Sequence, residues 1–231
     1  MRLTRYLKEA DMSLEDIITI LKRDCKPILN TLKNGKWFLW RGRKPQGFEK
    51  GQQILDTKDI LEVYPRKDRK PTHTVQVDHI ALNKAFNEKF GWKVRSEAVF
   101  ATRKRTEAYI FGMPYLFFPV GKFEFVYSDE IEDLWRDWSG YRHKQWAPFE
   151  KQMKKEHPKW GFQILVSEFQ KKWEGGLVDK AAKDLMKVYK KTGIKKAVNS
   201  GNEIAFRVKS YYIVNADFAD GIAEEFGIRY P

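Results

Sequence analysis

The chain has 231 residues, with 44 Lys and Arg against 31 Asp and Glu, a formal net charge of +13. At 42% hydrophobic and 15% aromatic it is too apolar for a disordered polycation and long enough for a full globular core. The lone Cys25 excludes an intrachain disulfide framework and a multi-cysteine zinc site; with no apolar run near the ~18 residues of a bilayer span and no apolar signal core at the N-terminus, the expectation is a soluble cytoplasmic protein with no membrane partner.

Ser13 followed by Asp16 has the form of a capping box. It opens a helix carrying Leu14, Ile17, Ile18, Leu21, Ile28 and Leu32 at helical spacing, with Pro27 as a kink and Asn34-Gly35 as its end. Trp37 to Trp40 reads as a short buried strand running into Arg41-Gly42. Residues 43–74 contain five prolines and glycines and read as a long basic loop. A helix is predicted over 75–90, stopped by Gly91, then a strand over 98–102 and a short helix around 106–111 ending at Gly112. Residues 115–118 and 122–127 read as strands, and Ser128 as the cap of a helix with Asp129 and Glu130 in its first turn. Residues 139–160 read as irregular, 177–191 as a helix, 203–208 and 211–214 as a final hairpin or strand pair, and 217–226 as a terminal helix. No βαβ repeat and no composition break appear. The expectation is a single α+β domain over 1–231, with a central split, largely antiparallel sheet flanked by helices.

The cations form dispersed clusters: Arg41, Arg43 and Lys44; Arg66, Lys67, Arg69 and Lys70; Arg103, Lys104 and Arg105; and Lys190, Lys191, Lys195 and Lys196. Such dispersal suits a basic surface built in three dimensions, facing DNA, RNA, an acidic protein or a phosphate-bearing ligand. Phosphate-loop, dinucleotide and nucleophile-elbow glycine motifs are missing from the sequence. His73 and His79 fall on different faces of a helix, with no clear third ligand, and read as loop and helix-start residues, not as a metal pair.

Three pieces stand out. Arg41-Gly42 leaves an apolar strand, pairing a phosphate-gripping fork with a residue that lets backbone amides approach closely. Residues 95–102, Arg-Ser-Glu-Ala-Val-Phe-Ala-Thr, put a hydroxyl at a strand end before a helix bearing Tyr109 and Phe111. Residues 200–206 put Glu203 after a flexible Ser-Gly-Asn turn at the mouth of a strand that can hold it rigidly. Taken singly, each also reads as ordinary structure: a surface arginine with a turn glycine, a strand-end threonine, a strand-entry glutamate.

In this order the three pieces resemble an ADP-ribosyltransferase domain of the Arg–Ser/Thr–Glu type. Over nearly its whole length the chain is similar to small proteins of tailed bacteriophages, sharing Arg-Gly, Arg-Ser-x-x-Val-Phe-x-Thr, Phe-Phe-Pro-x-Gly and Ser-Gly-Asn-Glu-Ile. The resemblance implies NAD as co-substrate and, for a phage protein, the host cytoplasm. It casts Arg41 on the NAD phosphates, Gly42 on the nicotinamide carboxamide, Thr102 as the hydroxyl that braces the site, with Ser96 as a second claimant, Tyr109 or Phe111 against nicotinamide, and Glu203 as the catalytic glutamate. The chain departs from the family at two points. Gly201 stands where protein-modifying members often carry a second Glu or Gln, and Ala101-Thr102-Arg103 replaces the Ser-Thr-Ser motif. Together with the positive charge, this turns the expected acceptor toward nucleic acid, contacted by Arg43, Lys44, Arg66, Lys67, Arg69, Lys70, Arg103 and Arg105, with a host protein as the other acceptor class. The competing reading is a non-enzymatic nucleic-acid-binding or host-takeover protein, which needs only the basic surface and exposed aromatics.

Overall fold

The computed structural model describes residues 12–33, 37–44, 48–49, 52–53, 59–66 and 75–229, with the backbone alone at 48–49 and 52–53. In chain order the elements are α1 (Leu14–Asp24), α2 (Lys26–Leu32), β1 (Trp40–Arg43), β2 (Phe48–Glu49), β3 (Gln52–Gln53), β4 (Ile60–Val63), α3 (Gln76–Phe90), α4 (Val94–Glu97), β5 (Val99–Ala101), α5 (Arg105–Ile110), β6 (Met113–Pro119), β7 (Glu124–Ser128), α6 (Leu134–Glu156), α7 (Phe162–Lys172), α8 (Val178–Met186), β8 (Tyr189–Lys190), α9 (Ile194–Ser200), β9 (Ile204–Arg207), β10 (Tyr211–Val214) and α10 (Ala219–Phe226). The class is α+β. One four-stranded sheet runs β1-β6-β10-β4, with every pairing antiparallel, and a second runs β5-β9-β7-β8. No helix among the described residues is long and apolar enough to cross a membrane.

The chain divides into two compact units, one of Met1–Arg66, Ala98–Asp129 and Lys190–Pro231, the other of Lys67–Glu97 and Glu130–Tyr189. The first unit holds the β1-β6-β10-β4 sheet, strands β5, β9 and β7 of the other, and an aromatic core. Trp40, Phe38, Phe117, Phe118 and Phe206 are all fully buried there. Phe117 of β6 meets Phe206 of β9 with ring centroids 5.1 Å apart and Tyr211 of β10 at 5.2 Å. The predicted capping box is present: Ser13 Oγ accepts from Asp16 N–H at 3.2 Å, and the Asp16 carboxylate accepts from Ser13 N–H at 3.3 Å. Pro27 starts α2 instead of kinking one long helix, because a proline at the first helical turn costs no hydrogen bond.

The second unit is helical. Trp173 and Trp138 are buried with ring centroids 5.7 Å apart, and Trp146 packs edge-on to Phe169 at 5.2 Å. The buried Asp78 on α3 accepts from Trp173 Nε1–H at 2.7 Å, while Arg142 Nη1 stands 3.7 Å from its other oxygen.

Several element expectations are corrected. Ser128 does not cap a helix: it is buried at the end of β7, and Asp133 caps α6 by accepting from Arg136 N–H at 2.7 Å. Asp129 instead takes Lys190, its carboxyl held below the usual range by hydrogen bonds from Lys190 and Lys196. Residues 139–156 are not irregular. They lie in α6, where burial of Leu134, Trp138 and Phe149 outweighs the hydrogen bond that Pro148 removes. Part of the 43–74 loop is strand: β2 pairs with β3, and β4 lies along β10. The expected helix end at Asn34-Gly35 falls outside the described residues.

Candidate functional site

Burial of the Trp40 indole fixes β1 against the core, and its register follows from β6: Trp40 is opposite Leu116, Arg41 opposite Tyr115 and Gly42 opposite Pro114. Phe117 N–H donates to Leu39 O at 2.8 Å, so residues 39 and 41 bond toward β6. The alternation sends the N–H and C=O of Trp40 and Gly42 to the outer edge of β1. Pro114 suits its place, because its position opposite Gly42 asks for no N–H.

On that outer edge Trp40 N–H donates to Thr102 O at 2.6 Å, and Thr102 N–H donates to Trp40 O at 3.0 Å. This bridge joins the edge strands of the two sheets. β5 and β9 pair Ala101 with Ile204, so the next step of the register sets Thr102 opposite Glu203. Thr102 thus follows β5 directly and is bridged to Trp40, and Glu203 directly precedes β9. Arg41 donates from Nη1 to Phe100 O at 2.8 Å, and its guanidinium lies 5.5 Å over the Tyr211 ring.

The turn before Glu203 is tied down, contrary to the flexible turn expected from Ser200-Gly201-Asn202. Thr102 Oγ1 donates to Gly201 O at 3.0 Å and accepts from Lys104 N–H at 3.1 Å. Ser200 Oγ donates to Ala197 O at 2.7 Å and accepts from Asn202 N–H at 3.2 Å, and Asn202 Nδ2 donates to Ser128 O at 3.0 Å. Gly201 caps α9 at φ 79°, a left-handed conformation that glycine takes without strain. Its open side is covered by Arg103: a Cβ at Gly201 would stand 3.2 Å from Arg103 Nη2. Arg103 Nη1 also donates to Asn199 O at 2.9 Å, and its guanidinium lies 5.1 Å over Trp37.

Gly42 is needed for packing as well. A Cβ there would meet Ala108 O at 2.0 Å and Phe111 Cβ at 2.9 Å, so α5 is seated directly on β1. Tyr109 and Phe111 extend from this short helix into solvent, 66% and 47% exposed. Arg105 lies 5.2 Å over the buried Trp40 ring.

Of the residues singled out in the sequence, Arg41 and Gly42 follow Trp40 on β1, Thr102 is bridged to Trp40, and Glu203 stands at the entry to β9, while the alternation of β1 turns the Arg41 side chain to the face opposite that of Trp40 and Thr102. Arg43, Lys44, Arg103 and Arg105 flank the bridge along β1 and the start of α5. Arg66 is exposed in the same unit, and Lys67, Arg69 and Lys70 lie outside the described residues. Ser96 belongs to the second unit, where its Oγ lies 3.2 Å from His79 Nε2 and accepts from Asn83 Nδ2 at 2.8 Å. The i,i+4 spacing of His79 and Asn83 was the available signal for that buried polar cluster. Trp37 and Trp40, the platforms under Arg103 and Arg105, read in the sequence only as core. No group of three or more His, Cys, Asp or Glu among the described residues could hold a metal ion.

The chain matches no family model, and no curated protein or solved structure matches it.

Proposed function

We propose that the protein is an NAD-dependent ADP-ribosyltransferase of phage type, acting on nucleic acid or a host protein. The observation that carries this reading is the Trp40–Thr102 bridge, which sets the Arg41-Gly42 step beside Thr102, 61 residues after Arg41, with Glu203, a further 101 residues on, at the entry to β9, the strand paired with β5. The residues present fit such a co-substrate. Arg41 has five N–H donors, and the hydrogen bond to Phe100 O leaves others for a pyrophosphate. Gly42 directs a donor and an acceptor to one strand edge, the pair that a carboxamide needs.

Glu203 would sit at the ribose 2′-hydroxyl and stabilise positive charge as it develops on the sugar. In the reaction the bond from C1′ to the nicotinamide nitrogen breaks, and its electron pair leaves with neutral nicotinamide. A nucleophilic oxygen or nitrogen of the acceptor forms the new bond to C1′ and gives its proton to solvent. Thr102 is a positioning residue, holding the turn before Glu203 through Gly201 O.

The test is incubation with labelled NAD and a bacterial lysate, followed by separate digestion with protease, DNase and RNase. Label should enter one fraction, and Glu203→Gln should lower both transfer and nicotinamide release by about a hundredfold or more with the fold intact. No label and no nicotinamide release would overturn the reading. The second reading, a non-enzymatic binding protein, draws on the exposed aromatics of α5 beside basic residues. It requires unchanged biological activity in Glu203→Ala.

A further inference from the structure

We infer that the exposed face of α5 is a stacking platform for an unpaired base of single-stranded nucleic acid. This names the acceptor class of the proposed reaction and rests on that reading for the transfer step alone. In this helix Ala108 is the buried residue, while Tyr109, Ile110 and Phe111 are exposed, as is Met113 just beyond. Contiguous exposed apolar surface of this kind marks a site of interaction, because folding gains nothing from it.

The platform is rigid. Gly42 admits α5 onto the β1 backbone, and a Cβ at Gly112 would stand 2.3 Å from the Arg43 carbonyl carbon, so the turn after α5 is seated just as closely. Thr102 Oγ1 ties the helix start through Lys104 N–H. A backbone seated this closely loses little freedom when a ligand stacks on the rings it carries.

Charge selects the occupant. Arg103 and Arg105 stand at the start of the same helix, and the backbone N of the exposed Lys44 is against Gly112. An apolar protein partner would desolvate these cations without compensation, whereas a nucleic-acid strand brings phosphates to the cations and a π-face to Tyr109 and Phe111. A duplex keeps its base faces stacked internally, so the strand must be single. On this inference Tyr109 and Phe111 serve the acceptor in place of nicotinamide.

The test is a fluorescence-anisotropy titration of the full chain with a labelled oligothymidine or oligouridine and with a duplex of equal length. The expected result is preference for the single strand, a loss of about fivefold or more for Tyr109→Ala and for Phe111→Ala, and retention in Tyr109→Phe. Circular dichroism melts check that each variant is folded. Wild-type affinity in both alanine variants, or preference for the duplex, would overturn the inference. Displacement of the oligonucleotide by polyglutamate as efficiently as by unlabelled oligonucleotide would also overturn it, assigning the face to an acidic protein. The titration contains no NAD, so a chain that releases no nicotinamide still reports on this face.

Discussion

Asp24, at the end of α1, gathers contacts from distant parts of the first unit. It accepts from its neighbour Arg23 through Nε at 2.8 Å and Nη2 at 2.7 Å, and from the Tyr212 hydroxyl of β10 at 2.9 Å. The Arg23 hydrogen bond, and after it that of Tyr212, holds the carboxyl below its ordinary range. Burial, reinforced by the Asp24 charge, pushes the Tyr212 hydroxyl up, so it stays a donor. A depressed carboxylate stabilises the fold above its unfolded value, about 3.9, and loses that contribution as pH falls through the folded value. Asp24→Asn keeps an acceptor but removes the charge; it should cost about 1 kcal/mol at neutral pH. In urea melts the difference from wild type should shrink below about pH 4; a difference equally large in acid would show that the charge contributes nothing. Cys25, next in sequence, is fully buried with its Sγ 3.9 Å from Phe118 O, and burial drives its thiol well above the ordinary value. Iodoacetamide should therefore label Cys25 only in denaturant. Rapid labelling of the folded chain would contradict the packing around α2.

At the scale of elements, α5 and β1 form one unit because two glycines allow it. Gly42→Ala drives a methyl into the Ala108 carbonyl, backbone against backbone, where no side chain can yield. A loss of about 1–3 kcal/mol is expected in thermal or urea melts, and a neutral effect would mean that α5 shifts freely on β1. Elements with strong local signals were legible in the sequence. The helix over Gln76–Phe90 ends at Gly91, left-handed at φ 84°, as its pattern predicts. The strands Val99–Ala101 and Tyr211–Val214 follow their β-branched and aromatic runs. The misreadings come from tertiary overrides. Gly140 and Pro148 hid α6, whose aromatic packing is made with residues far along the chain. β4 was hidden among the glycines and prolines of residues 43–74, because its pairing with β10 is a contact across some 150 residues. β9 and β10, adjacent in sequence, read as a hairpin or strand pair but enter different sheets.

For the whole molecule, the pieces Arg41-Gly42, Thr102 and Glu203 were visible in the sequence, but the bridge that sets Trp40 against Thr102 was not. It depends on the register of β1 on β6 and of β5 on β9, which no local pattern specifies. The net charge of +13 was equally visible, yet charge alone attracts any polyanion and gives no location. Salt separates the two contributions at the α5 face. Each phosphate neutralised on a single strand contributes a slope of about −0.7 in log affinity against log salt. Lys44→Gln removes one exposed cation, so the slope should become shallower by about 0.7, with the affinity loss fading at high salt. Tyr109→Ala removes a ring and no charge, so it should lower affinity by a similar factor at every salt concentration and leave the slope unchanged. Anisotropy titrations across a salt series measure both. The opposite pattern, a flattened slope in Tyr109→Ala and an unchanged one in Lys44→Gln, would separate the bound strand from the cations of β1 and leave the +13 charge acting as a diffuse field instead of a built site.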